Sequence, residues 1–156
     1  MRLFISVVAF VAALTSAAVA WASPADITSA DQALSAETFT VELAGPGGTG
    51  TAELTLNPSG KVCYVLDVTL TTADDFPEEP GLGIGNAHIH TEGTGGIAVP
   101  LDATFTSLGD GRFVSADCVR ADKEQVREIL ANPENFYINI HTHAFPAGAV
   151  TGALAT

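Results

Sequence analysis

From Thr38 onward, apolar residues recur at every second position. Phe39, Val41 and Leu43 alternate with polar neighbours, as do Ala52, Leu54 and Leu56. The longest run, Lys61 to Leu70, puts Val62, Tyr64, Leu66, Val68 and Leu70 on one side. Successive side chains of a strand point to opposite faces, so this period predicts sheets with one face in a core and one in water. Pro46-Gly47-Gly48 separates the first two runs and Asn57-Pro58-Ser59-Gly60 precedes the third, both in turn chemistry. Residues 71–85 read as an acidic, Pro- and Gly-rich loop carrying Asp74, Asp75, Glu78 and Glu79. Shorter strands are expected at 86–91, 97–101 and 112–115, with a last pair at 135–142 and 149–154. One segment departs from the period: Asp122 to Asn132 spaces Val126, Ile129 and Leu130 as a helix does, with Asp122 as N-cap and Gln125 in a capping-box position. The expectation is an all-β protein, an antiparallel sandwich or flattened barrel with one short helix.

The N-terminus is of another kind. Arg2 precedes an almost unbroken apolar run from Leu3 to Leu14, and Ala18-Val19-Ala20 and Ala20-Trp21-Ala22 offer small-residue cleavage sites. This pattern predicts a secretory signal over residues 1–22, the run being short of the ~20 residues a spanning helix needs. Residues 23–36 then read as a flexible lead and 37–156 as a single domain. The 47% hydrophobic content of the chain belongs partly to that signal. Without it, 5 Lys and Arg stand against 18 Asp and Glu. Such acidity excludes nucleic acid and anionic lipid as natural partners. The expected location is secreted, periplasmic or cell-envelope, with no membrane attachment after cleavage.

Export changes the reading of the two cysteines. Cys63 and Cys118 form an even pair in an oxidising compartment, where a disulfide is the default. Free thiols and a shared metal site are the alternatives, and no C-x-x-C redox motif is present. Loop-closure entropy would make such a bridge worth roughly 4 kcal/mol.

All four histidines lie in H-x-H pairs, His88-Ile89-His90 and His141-Thr142-His143. On a strand, such residues share a face with Cα atoms roughly 6.5–7 Å apart, so both rings can converge on one ion. Ala87 and Ile89 alternate with the first pair, and Phe136, Ile138 and Ile140 with the second. If these apolar residues face the core, both pairs point outward onto an accessible face with Tyr137 and Asn139, which become candidates to support the ligands. If the two strands are neighbours, three or four imidazoles meet. Such a set suits copper, zinc or nickel, with copper the tightest binder of the divalent series and zinc less favoured. The competing reading is of polar strand residues that bind no metal.

Other chemistries find little support. No G-x-S-x-G elbow is present, and Gly93-Thr94-Gly95-Gly96 lacks the Lys-Ser/Thr of a phosphate loop and reads as a turn. The spacing of Asp74, Asp75, Glu78 and Glu79 is not that of a calcium loop.

Several segments resemble the CHRD domain, the chordin-type module: Val62-Cys63-Tyr64, Ala87-His88-Ile89-His90, Cys118-Val119, and Phe136-Tyr137-Ile138-Asn139-Ile140-His141-Thr142 followed by Pro146-Ala147-Gly148. The similarity runs from about Glu37 to Leu154. It departs where Thr151-Gly152-Ala153-Leu154 stands in place of a usual Arg-Gly-Gln-Leu, at His143, which is not a usual family position, and in the long acidic loop. The resemblance implies an immunoglobulin-like or superoxide-dismutase-like Greek-key β-sandwich without a settled activity. In order and spacing, His88, His90 and His141 are also similar to copper ligands of copper/zinc superoxide dismutases. The bridging histidine of those enzymes has no counterpart here, and neither does their active-site arginine, since the last arginine is Arg127. The resulting expectation is an exported protein that binds copper for sequestration or delivery. A copper-only dismutase-like enzyme and a metal-free module that binds an extracellular protein partner are the alternatives.

Overall fold

Pro46-Gly47 closes β1 (Glu37–Gly45) onto β2 (Gly48–Asn57), and Pro58 to Gly60 close β2 onto β3 (Lys61–Leu70). The computed structural model describes residues 35–71 and 87–155, which fall within the unit Ala33–Thr156. The expected signal, most of the lead and the acidic loop lie outside the described residues. After them come β4 (Ala87–Thr91), β5 (Ile97–Pro100), β6 (Thr106–Gly109) and β7 (Arg112–Arg120). Helix α1 (Lys123–Ala131) and a 3-10 turn at Pro133–Asn135 lead into β8 (Phe136–Ile140) and β9 (Val150–Ala153).

Among the described residues the strands form one sheet in the order β5-β4-β8-β9-β1-β2-β3-β7-β6. Every pairing is antiparallel. The result is the all-β, sandwich-like architecture expected from the alternation. β1, β2 and β3 follow the period-two pattern: Val41, Leu43, Leu54, Leu56, Val62, Leu66 and Val68 are at most 2% exposed, with polar residues between them. Each such side chain withdrawn from water contributes roughly 1.5–3 kcal/mol.

At the β6–β7 edge of the sheet the structure departs from the expected strands in two places. β6 was not foreseen, because all four of its residues are exposed and none marks a buried face. β7 runs beyond Ser115 to Arg120, since Ala116 to Cys118 are exposed and break the alternation. The extension carries Cys118 directly opposite Cys63, and the two are joined by a disulfide with an S–S distance of 2.07 Å.

α1 begins where Asp122 accepts hydrogen bonds from the amides of Glu124 and Gln125, at 2.9 and 3.1 Å. These satisfy helix N–H groups that would otherwise lack a partner, worth about 1 kcal/mol. The Gln125 amide reaches forward to Glu128 at 3.4 Å, not back as a full capping box requires. Val126, Ile129 and Leu130 bury the inner face of the helix.

β1 and β9 join the two halves of the sheet at one register pair, Ala44 and Thr151. Glycines line this seam. A methyl group on Gly45 would overlap the Ala149 carbonyl, and one on Gly152 would overlap that of Glu42. The Gly47 amide crosses the seam to the Ala149 carbonyl at 2.9 Å.

Candidate metal centre

β4 lies between β5 and β8, in a register that pairs Ile89 with Ile138, His88 with Asn139 and His90 with Tyr137. Ile89 and Ile138 are fully buried in the core. The strand period therefore puts His88, His90, Tyr137 and Asn139 on the opposite face, as the sequence implied.

That face is not open to solvent. His88 is 1% exposed, His90 8% and Asn139 6%, which corrects the expectation of outward, accessible histidines. Two local features close over them. The turn after β4 brings the Gly95 carbonyl to 2.9 Å from His90 Nδ1. The loop between β8 and β9 carries His141 to His88, with ring centroids 4.6 Å apart. Tyr137 stacks on His90 at 5.1 Å with the planes 12° apart.

The second H-x-H pair does not behave as the first. β8 ends at Ile140, two residues short of the predicted strand end, so same-face alternation does not reach His141 and His143. Thr142 between them is buried and exchanges backbone hydrogen bonds with Phe145. Among the described residues, His88, His90 and His141 form the one group able to share an ion, while His143 is exposed and outside it.

The hydrogen bonds set the tautomers. Carbonyl oxygens only accept, so His90 Nδ1–H donates to Gly95 and His141 Nδ1–H donates to the Pro146 carbonyl at 2.9 Å. Each ring, when neutral, then carries its lone pair on Nε2. His88 Nδ1 lies 3.0 Å from His90 Nε2 and donates its proton to that lone pair. The His141 Nε2 atom is buried without a hydrogen-bond partner. Burial holds the His141 pKa below its ordinary value; the Pro146 bond opposes this shift and the nearby His90 adds to it. His141 therefore favours the neutral form, the one that ligates a metal.

An ion accepted here would displace the proton between His88 and His90. Two nitrogens 3.0 Å apart subtend roughly 90° at an ion with bonds near 2.0–2.1 Å. The three ligand atoms lie within 4.8 Å of one another. A shared ion would allow at most about 4.2 Å between any two ligands, so holding one would require the set to close by at least about half an ångström. Neutral imidazoles with carbonyl partners on their second nitrogen are the donor arrangement that copper, zinc, iron and nickel take.

Sequence reasoning did not anticipate the carbonyls of Gly95 and Pro146. Their signal is present in the glycine-rich turn and in Pro146-Ala147-Gly148, but turn chemistry alone does not say which side chain a carbonyl meets. Tyr137 stacks on His90, and Asn139, the register partner of His88, donates to the Ala147 carbonyl at 3.2 Å.

The pattern of the CHRD domain family matches the chain over residues 12–154. No curated protein and no solved structure matches it.

Proposed function

We propose that this chain, which belongs to the CHRD domain family, is an exported copper-binding protein that sequesters or delivers the ion through His88, His90 and His141. The observation that carries this reading is the convergence of three imidazole nitrogens within 4.8 Å, with carbonyl partners on the second nitrogens of His90 and His141. Copper is preferred to zinc because it binds nitrogen donors most tightly in the divalent series and is met outside the cytoplasm. The disulfide supports an oxidising location. Among the described residues no helix is long and apolar enough to cross a membrane. A dismutase would use the same three histidines. It also needs a positive group to attract superoxide, and the segment after His141, from Thr142 to Ala149, carries no Lys or Arg.

Copper titration of the metal-stripped protein, beside a His88→Ala/His141→Ala variant, tests the site. The expected result is one equivalent bound at least 100-fold more tightly by the unsubstituted protein. Equal affinities would overturn the reading and leave the histidines as structural groups of a metal-free module.

A further inference from the structure

We propose that Asn139 is a positioning residue that fixes the tautomer and aim of His141, acting through the Pro146-Ala147-Gly148 turn. Asn139 sits on β8, 6% exposed, two residues before His141. Its Nδ2 donates to the Ala147 carbonyl at 3.2 Å, while the preceding carbonyl, that of Pro146, accepts the His141 Nδ1 proton at 2.9 Å. Adjacent carbonyls of one turn thus engage two side chains from one strand end. The Asn139 bond sets where the turn lies, and the turn sets which imidazole nitrogen keeps its hydrogen.

Gly148 makes the arrangement sterically possible. Its φ of +132° is a conformation that side-chain-bearing residues rarely adopt, and a methyl group there would overlap Asn139 Oδ1. That oxygen is buried with no hydrogen-bond partner. An unpaired buried acceptor is costly, and an aliphatic side chain would avoid the cost; the donor end of the amide offsets it by holding the turn. Without that hold, the Pro146 carbonyl moves off His141 Nδ1 and the Nε2–H form competes. A ring in that form cannot offer Nε2 to an ion.

The consequence for affinity rests on the copper reading above, whereas the consequence for the tautomer does not. The test is long-range proton–nitrogen NMR of the imidazoles in the metal-stripped full chain, followed by copper titration. In the unsubstituted protein His141 is expected as the pure Nδ1–H form. A mixed or Nε2–H form there overturns the proposal without any variant. Asn139→Asp keeps the shape and removes the donor. It is expected to give a mixed His141 tautomer and affinity weaker by about 10–100-fold, with the His90 tautomer, held by Gly95, unchanged. Gly148→Ala, which displaces the same amide from the other side, is expected to do likewise. A folded Asn139→Asp protein that keeps pure Nδ1–H at His141 overturns the proposal. If the tautomer shifts but the unsubstituted protein binds no copper, the positioning role stands and the copper reading falls.

Discussion

β3 and β4 are both central strands with alternating polarity, yet they are buried differently. In β3, Val62, Leu66 and Val68 are fully buried while Lys61, Val65 and Thr69 face solvent. In β4, Ala87, His88, Ile89 and His90 are all buried, although the chemistry still alternates. Polarity between apolar residues therefore marks a different face, not a wet one. A polar face that loses its water needs other partners. Here the described ones are the carbonyls of Gly95 and Pro146 and the rings themselves. In the meander half, β1 to β3 with β7, most polar side chains stay exposed, and the buried Ser115 on β7 is bonded to Tyr64 on β3.

The largest test of this contrast lies beneath the histidines. Ile89→Ala and Ile138→Ala should each cost about 2–5 kcal/mol in denaturant unfolding. As register partners they should not add independently. A cost below about 1 kcal/mol would mean that the histidine half rests on no packed core. Next comes the meander. Replacing both Cys63 and Cys118 by Ser should lower stability by about 2–4 kcal/mol while leaving copper affinity within twofold. A larger change in affinity would show that the halves are not separable.

A smaller effect is expected at the Asp67–Arg112 pair, which joins β3 to β7 at 2.9 Å on the outer face. The hydrogen bond from Arg112 holds the Asp67 carboxyl below its ordinary pKa. Its stabilisation is therefore present above the unfolded value near 3.9 and lost as pH falls through the lower folded value. Asp67→Asn should remove that part of the acid-induced loss of stability, seen by comparing unfolding of the two proteins between neutral pH and about pH 2. The smallest effect belongs to Val65, 50% exposed on β3. Val65→Thr should leave stability within about 0.5 kcal/mol, measured the same way.

The legible parts of the fold are those where one face is wet. β3 carries the predicted bounds, Lys61 to Leu70, because its outward residues are polar or exposed and its ends are turn residues. α1 was visible through Asp122 and three helically spaced apolar residues, and the Cys63–Cys118 bridge through compartment chemistry. β6 escaped because Thr106 to Gly109 bury nothing. Within the site, the pairing of His88 with His90 followed from strand geometry alone. The recruitment of His141 and not His143 depends on where β8 ends, and the burial of His88 and His90 on the segments that close over them. Neither is written in a two-residue period.

The glycine seam between β1 and β9 bears on how such a chain tolerates change. Backbone meets backbone there, at Gly45 against Ala149 and at Gly152 against Glu42, with room for hydrogen and nothing larger. Substitutions elsewhere in a strand can be absorbed by a neighbouring rotamer, but a peptide group has no rotamer to change. Variation can collect on the solvent face of the meander and at loop tips, while the line that couples the halves stays closed to it. A side chain introduced on this join would have to be taken up by a backbone shift of the strands that couple the histidine cluster to the rest of the sheet.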